Sequence, residues 1–201
     1  MKGIHLTIGL LFVSSIVLCQ NWEKEFERDG ITVFTREVEG YSLKAFKGEM
    51  IMDTSINAII SILTDIARFP EWTYRTSSIE LIKQENNQTF YRTTTDTPPI
   101  IKNREAYFCN QLFRNPATGE VIITIKTYPA DEPVPDGFIR IEFSDGRWEL
   151  TPIADEKTQI KFQVHADPGG FIPGWFANMV AVESPWITLK NLRNQLFNQN
   201  N

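Results

Sequence analysis

Residue types that commonly carry out protein chemistry are scarce in this chain of 201 residues. It has two histidines, His5 and His165, and two cysteines, Cys19 and Cys109. So small a set nearly excludes a structural zinc site or a disulfide framework. The chain also lacks Gly-x-Ser-x-Gly, Cys-x-x-Cys, His-Glu-x-x-His and a glycine-rich phosphate loop. We therefore predict no catalytic residues, no metal site and no cofactor.

His165 and Cys109 lie beyond the N-terminal segment, and neither is interpreted as a catalytic or metal-binding residue. His165 lies on the face of a predicted strand opposite Ile160 and Phe162. This placement favours contact with solvent, or packing at the strand end, over a role in a Ser-His-Asp triad. Cys109 lies inside another predicted strand, and we interpret it as a small buried hydrophobic residue.

The overall composition is that of one folded domain with an acidic surface. Hydrophobic residues make up 42% of the chain, and the formal net charge is −5 at pH 7. A chain this rich in apolar residues can form a core and is not intrinsically disordered. Because nucleic-acid binding requires a basic face, we predict no nucleic-acid partner.

The first residues resemble an export signal. Lys2 precedes an apolar run over residues 4–18, and a polar and charged stretch follows. A positive start, a short apolar middle and a polar end are typical of a secretory signal peptide. We predict a signal peptide over 1–19, cleaved near Cys19, and a periplasmic or secreted protein. A lipoprotein anchored through Cys19 and a buried N-terminal helix are the alternatives.

A single domain is predicted over 22–197, with two strands, a short helix, six strands and a long helix. Alternating apolar and polar residues and turn residues place the strands. The predicted strands are 31–36, 41–52, 78–85, 89–96, 104–112, 121–128, 138–151 with a bulge at Gly146, and 158–166.

Capping and proline signals place the two helices. The first begins after a capping segment at 53–55 and stops by Phe69-Pro70, because the residue before a proline avoids helical geometry. The last runs from Pro173 to Phe197, and Pro185 is expected to kink it or to leave a carbonyl unpaired. An antiparallel sheet with one apolar face needs cover on that face, and the last helix is available to provide it. The predicted fold class is α+β, a curved antiparallel sheet wrapped around the C-terminal helix.

The last helix carries a stripe of small residues. Ala177, Ala181, Ser184 and Thr188 recur at steps of four and three. Small side chains facing a concave sheet would leave space in the core, and a cavity lowers stability by roughly 24 cal/mol per Å³. The stripe therefore indicates a ligand cavity, close packing against a strand, or a helix face that is exposed to solvent.

Several short patterns follow one another in an order that resembles the START family of lipid-transfer domains, in its bacterial form. Phe69-Pro70-Glu71-Trp72 follows the first helix, and Pro98 to Glu105 (PPIIKNRE) opens a strand. Trp148 to Pro152 (WELTP) comes next, and Asp167 to Pro173 (DPGGFIP) leads into the last helix. The resemblance covers about residues 25–197.

This resemblance implies the helix-grip fold and a cavity beneath the last helix that holds a sterol, phospholipid or other apolar ligand. Sterol carriers of the family have a buried arginine six residues after the motif arginine, whereas Asn110 occupies that position here. Arg104 and Glu105 point to opposite faces of one strand, and we expect Arg104 to be structural. The candidate ligand-binding residues are Trp72, Phe108, Asn110, Trp148, Phe162, Val180, Ala181, Ser184 and Thr188.

The predicted function is the binding, and possible carriage, of a hydrophobic ligand without chemistry. Transient membrane contact and a monomeric state are also expected. The main alternative is an enzyme, because related helix-grip cups include cyclases, aromatases and hydrolases. Such an enzyme would need polar groups that converge inside the cup, for which Asn110, Glu105 and Thr94 are the candidates. A third alternative is a structural partner module, which a large exposed apolar patch would favour.

Overall fold

A computed structural model describes residues 21–199 of the chain. The predicted signal peptide and Cys19 lie outside the described residues. Within them the chain forms ten strands, three α-helices and one short 3-10 helix. The strands are β1 (Glu23–Arg28), β2 (Ile31–Arg36), β3 (Ala45–Met52), β4 (Thr76–Glu85), β5 (Gln88–Thr95), β6 (Asn103–Arg114), β7 (Val121–Thr127), β8 (Phe138–Arg140), β9 (Phe143–Ala154) and β10 (Lys157–Asp167). The helices are α1 (Ile56–Thr64), α2 (Phe69–Trp72) and α3 (Gly174–Gln199), with the 3-10 helix at Ile66–Arg68.

All the strands belong to one curved sheet in the order β1-β2-β3-β10-β9-β7-β6-β5-β4. Neighbouring strands on this path are antiparallel, and β8 pairs with the start of β6 in parallel. The long helix α3 lies against β2, β3 and β10 and also contacts α1 and α2. This arrangement confirms the predicted fold class, a curved antiparallel sheet around a C-terminal helix.

Most predicted elements are found close to their predicted bounds. Strand β2 coincides with its prediction, and Ser55 caps α1 by accepting a hydrogen bond from the backbone of Ala58 at 3.4 Å. The turn after β4 contains Asn86 with φ of 52°, a left-handed conformation that asparagine tolerates better than most residues. These elements were predictable because their signals lie within a few consecutive residues.

Four local predictions need correction. Strand β1 was missed because it is charged and mostly exposed at the sheet edge, with Phe26 as its partly buried residue. Pro70 does not end the first helix. That helix stops at Thr64, and Pro70 lies in the first turn of α2, where its missing N–H is not needed. The single strand predicted over 138–151 is two strands, β8 and β9. Strand β9 continues through Gly146 without a bulge, and Gly146 pairs with Val164 on one side and Ile125 on the other.

Helix α3 continues through Pro185 without interruption. Proline has no N–H to donate, so the carbonyl of Ala181 loses its usual helical partner. Pro185 lies on the inward face of α3, where it is buried against β3. There a Cβ on Gly48 would stand 3.1 Å from Pro185 Cβ and 2.6 Å from Leu189 Cδ1. Glycine at this position therefore allows helix and sheet to approach closely.

Candidate functional site

A cavity of about 260 Å³ lies between the concave face of the sheet and α3. Its wall is built mainly from alternate residues of β5, β6, β9 and β10, from α2, and from the first half of α3. Because side chains alternate along a strand, only one face of each strand contributes to the wall. The structure thus has a hollow interior at the place where the small stripe of α3 faces the sheet.

Seven of the nine candidate residues lie in this wall: Trp72, Phe108, Trp148, Phe162, Val180, Ser184 and Thr188. Three of them form a continuous aromatic surface. The rings of Trp148 and Phe162 stack at 4.1 Å between centroids with 15° between planes, and Trp72 lies 6.1 Å from Trp148. Rigid rings of this kind provide a large apolar contact surface. Their role toward a ligand stays a prediction.

Asn110 is not in the cavity wall. Its side-chain oxygen accepts a hydrogen bond of 2.8 Å from the hydroxyl of Tyr91, and both residues are buried. Burial raises the pKa of Tyr91, so the phenol stays protonated and donates this bond. The pairing of β5 with β6 brings the two side chains together and turns the Asn110 amide oxygen away from a ligand role.

Ala181 also lies outside the wall. It is fully buried and packs with Leu43 and Ala177 in a small apolar cluster beside the cavity. Half of the small stripe therefore serves close packing, and half faces the cavity through Ser184 and Thr188. Both explanations offered by the sequence apply, at different residues of the same stripe.

Polar contacts hold α3 over the cavity along the connection from α2 to β4. The backbone N–H of Tyr74 donates to Thr188 Oγ1 at 3.2 Å, and the Tyr74 hydroxyl donates to Glu183 at 3.0 Å. The Asn191 amide donates to the carbonyl of Trp72 at 3.2 Å. Each contact is a single hydrogen bond. A bond between neutral groups is worth about 0.5–1.5 kcal/mol net, and one to a charged group such as the Glu183 carboxylate is worth more.

One end of the cavity is polar and contains a cation. Arg104 is only 3% exposed, and its guanidinium donates to three backbone carbonyls, those of Lys102, Pro168 and Gly169. These carbonyls belong to the β5–β6 loop and the β10–α3 loop, so Arg104 fastens the two loops together. Burial lowers the pKa of Arg104. Thr93 and Thr95 of β5 lie beside it in the wall.

The side chains of Glu105 and Thr94 point away from the cavity. Glu105 is fully buried between Arg92 and Arg140, with closest distances of 2.7 Å and 2.6 Å. The Thr94 hydroxyl contacts the hydroxyls of Ser77 and Ser78 on the edge strand β4. Together with Asn110, these were the groups proposed for the enzyme alternative, and none of the three reaches the cavity wall.

The remaining reactive side chains are also outside the wall. His165 packs against Tyr41 and Phe143, with ring centroids 4.5 Å and 5.2 Å away, and burial lowers its pKa. Cys109 is half-buried rather than buried, because it lies on the outer face of β6. Its burial raises the pKa of the thiol. Across residues 21–199 no group of His, Cys, Asp and Glu side chains is arranged to hold a metal ion.

The sequence missed several wall residues. Phe69, Tyr91, Thr93, Thr95 and Arg104 all line the cavity. The alternation of Tyr91, Thr93 and Thr95 along β5 was a usable signal for one shared face. It did not say which face of the strand was concave, and that is set by the position of α3.

No helix among the residues that the structure describes is long and apolar enough to span a bilayer.

Comparisons with known proteins give consistent similarities. No family model matches the chain. The chain is 29% identical over 197 residues to an uncharacterized protein of Pseudomonas aeruginosa, covering 96% of this chain and 97% of that protein. The crystal structure of a STAR-related lipid transfer protein from Xanthomonas axonopodis matches with 31% identity and a TM-score of 0.79, covering 87% of this chain and 98% of the other.

More distant structures share the fold alone. Human StAR-related lipid transfer protein 5 matches with a TM-score of 0.79 at 18% identity, covering 90% of this chain and 88% of its own. Zhui aromatase/cyclase from Streptomyces sp. R1128 matches with a TM-score of 0.56 at 12% identity, covering 79% and 96% respectively. The same fold therefore occurs in lipid-transfer proteins and in an enzyme.

Proposed function

Because the chain belongs to the STAR-related lipid transfer (START) domain family, we propose that it binds a hydrophobic ligand beneath α3 and carries it unchanged. The observation that carries this proposal is the cavity whose deep part is walled by Trp72, Trp148 and Phe162. Large aromatic side chains around retained space are typical of apolar ligand sites.

The expected affinity follows from apolar burial alone. Each methylene removed from water contributes about 0.8 kcal/mol, so about ten methylenes contribute roughly 8 kcal/mol before ordering costs. A net value near that size corresponds to roughly micromolar binding. Such binding needs no catalytic group in the wall, which fits the outward orientation of Glu105 and Thr94.

The test is a cavity-filling substitution on α3. Ser184 lies in the wall, whereas Asn178 is exposed on the same helix. We expect Ser184→Phe to weaken binding of the neutral apolar dye Nile red by about tenfold or more, because the added ring occupies the cavity. Asn178→Phe is the matched control and should leave binding unchanged. Equal binding by both variants, or no binding by the native protein, would contradict the proposal.

We also propose that ligand exchange occurs where two loops meet a membrane surface. The cavity reaches the surface beside Arg75 and Asp96, which are exposed wall residues. Exposed apolar side chains lie at this end of the molecule on the β5–β6 loop (Ile100), on the β10–α3 loop (Phe171) and in the first turn of α3 (Trp175), which are 81%, 83% and 55% exposed. Amphipathic and apolar side chains of this kind insert into the headgroup region of a bilayer.

Vesicle flotation tests this contact. The double variant Phe171→Ser/Trp175→Ser should lose most co-flotation with phosphatidylcholine vesicles. Leu81→Ser removes a similarly exposed apolar residue, 55% exposed in the middle of the edge strand β4, and should retain co-flotation. Equal flotation of the two variants would place membrane contact elsewhere.

The setting of this function is proposed from the sequence. We propose an exported monomer from which residues 1–19 have been removed, or one anchored by a lipid on Cys19, without a nucleic-acid partner. The terminal apolar run and the net charge of −5 support this proposal. Intact mass of the protein from its own host separates the two processed forms, and light scattering measures the oligomeric state. A full-length mass would contradict both forms of processing.

A further inference from the structure

The polar end of the cavity contains a buried cation whose hydrogen bonds are incomplete. A guanidinium has five N–H donors. In Arg104, Nε donates to the carbonyl of Pro168 at 2.7 Å, Nη2 to that of Gly169 at 3.0 Å, and Nη1 to that of Lys102. One N–H on each of the two terminal nitrogens therefore has no partner among the residues that the structure describes. Two free guanidinium donors of this kind can bind the oxygens of a carboxylate or phosphate.

The charge of Arg104 is also without a counter-ion. Its three acceptors are neutral carbonyls, and no carboxylate in residues 21–199 forms a salt bridge with it. The acidic residue of the wall, Asp96, is exposed at the surface end and does not pair with Arg104. Burial is the cause that lowers the pKa of Arg104, with no neighbouring carboxylate to raise it.

Glu105, the next residue in the chain, is a buried charge that is neutralised by other side chains. Glu105 is buried on the opposite face of β6, and two arginines neutralise it through four short contacts. Buried charges are usually paired in this way, because an isolated one is costly to desolvate. Arg104 is the buried charge that faces the cavity, and a ligand placed there can supply the missing anion.

The rest of the wall is arranged for a molecule with one polar end. Thr95 stands directly opposite Arg104 across β5 and β6, and Thr93 is the next residue on the same face. No residue in the described part of the chain forms a hydrogen bond to either hydroxyl. Further along β5 and β6 the wall becomes aromatic at Tyr91 and Phe108. The volume, about 260 Å³, lies just below the range of roughly 300–1,000 Å³ usual for ligand sites, which favours a small ligand.

We propose that the ligand is a single-chain amphiphile whose anionic head group, a carboxylate or phosphate, binds Arg104. The two free N–H donors of Arg104 bind the head-group oxygens, and the hydroxyls of Thr93 and Thr95 donate to the same group. The alkyl chain extends toward Trp72 and Trp148. This assignment rests on the proposed function, since it specifies which hydrophobic ligand the cavity holds.

Probes that differ only in the head group test the assignment on the native protein. Displacement of Nile red is measured with dodecanoate, dodecyl phosphate, methyl dodecanoate and dodecanol. We expect one or both anions to bind about tenfold more tightly than the two neutral probes, and the tighter anion identifies the head group. Neutral probes that bind as well as the anions would overturn the assignment while leaving the proposed function intact. Failure of all four to bind would contradict the proposed function itself.

Substitutions then locate the cation. Arg104→Gln should weaken binding of the anionic probes about tenfold more than binding of dodecanol, because only the anions pair with the guanidinium. A merely structural role would weaken all probes together. Arg75→Gln is the matched control, since Arg75 is a second cation of the wall but is exposed. If Arg75→Gln abolishes the preference and Arg104→Gln does not, the assignment to Arg104 is wrong.

A variant that leaves Arg104 in place covers the case in which Arg104→Gln does not fold. Thr95→Val keeps the shape of the wall and removes one hydroxyl opposite Arg104. We expect it to weaken dodecanoate several-fold and to leave dodecanol unchanged. If Thr95→Val binds dodecanoate as tightly as the native protein does, and dodecanol likewise, then no head group binds at this end of the cavity.

Discussion

Arg104 and Glu105 are consecutive residues of β6 with opposite environments. Alternation along the strand sends Arg104 to the concave face and Glu105 to the outer face. Glu105 is neutralised there by Arg92 and Arg140, and Arg140 also binds the carbonyl of Ala130. Glu105 is thus a buried charge paired with other side chains, whereas Arg104 is a buried charge on the concave face whose partners are neutral backbone carbonyls.

The outer-face ion cluster should be strongly stabilising relative to its broken form. Glu105→Gln leaves two arginines without their carboxylate, and we expect a loss of about 3–5 kcal/mol in the free energy of unfolding. Urea denaturation measures it. Glu27→Gln, which removes an exposed partner of Lys24, is the control and should have no measurable effect. Equal urea midpoints for Glu105→Gln and Glu27→Gln would show that the ion pairs of Glu105 with Arg92 and Arg140 do not stabilise the fold.

The buried Tyr91–Asn110 hydrogen bond gives a second residue-scale prediction. Tyr91→Phe leaves the Asn110 oxygen buried without a donor, and we expect a loss of about 1–3 kcal/mol. The double variant Tyr91→Phe/Asn110→Leu removes both partners and should recover part of that loss. A double-mutant cycle of urea unfolding measures the coupling. Additive losses would show that the hydrogen bond contributes nothing.

At the scale of elements, the position of α3 determines whether the interior is hollow. Its C-terminal half packs tightly, with Leu189 and Leu192 fully buried and Gly48 allowing close approach to β3. Its N-terminal half lies over the cavity, with Ala177 and Ala181 buried beside it, and Glu183 and Thr188 in the middle of the helix bond to Tyr74. The helix is therefore tightly anchored at its C-terminal end, whereas the cavity in which we propose that a ligand binds lies beneath its N-terminal half.

Gly48 tests the anchored end. Gly48→Ala places a methyl group 2.6 Å from Leu189 Cδ1 and 3.1 Å from Pro185 Cβ, so the helix or its side chains must shift. We expect a loss of about 1–3 kcal/mol in the free energy of unfolding. Gly174→Ala is the matched control, because a Cβ there meets nothing within 4 Å. Equal stabilities of the two variants would mean that α3 does not need this close contact.

At the scale of the whole molecule, the sheet forms a cup whose interior we propose is completed by a ligand. The described residues form one continuous sheet, and its concave face, α2 and α3 together enclose the cavity. A ligand that binds only the folded state adds its binding free energy to the stability of the fold. Occupancy should thus be visible in the unfolding transition.

Thermal unfolding with and without a bound amphiphile measures this coupling. At a free concentration of about one hundred times the dissociation constant, a bound probe should stabilise the fold by about 2.7 kcal/mol. The Ser184→Phe variant, whose cavity is filled, should show no such shift. A shift of equal size in both proteins would indicate that the probe binds outside the cavity.

The sequence by itself determined the elements and the class of fold. Hydrophobic alternation, the Ser55 cap and the proline and glycine turns are signals between near neighbours, so β2, α1 and the long α3 could be placed without coordinates. Seven of the nine candidate residues named from the sequence lie in the cavity wall, and their role toward a ligand stays a prediction. Strand β1 was not predicted because its mostly charged residues show no alternation of apolar and polar side chains.

Only the tertiary structure decided the partners of the buried polar groups. Tyr91 meets Asn110, Glu105 meets Arg140, and Arg104 reaches Pro168, in each case through pairing of segments distant in the chain. Strand register and the packing of α3 determine these contacts, and neither can be read from any short stretch of residues. Which arginine was left facing the cavity with free donors therefore became visible only when the sheet had closed around the helix.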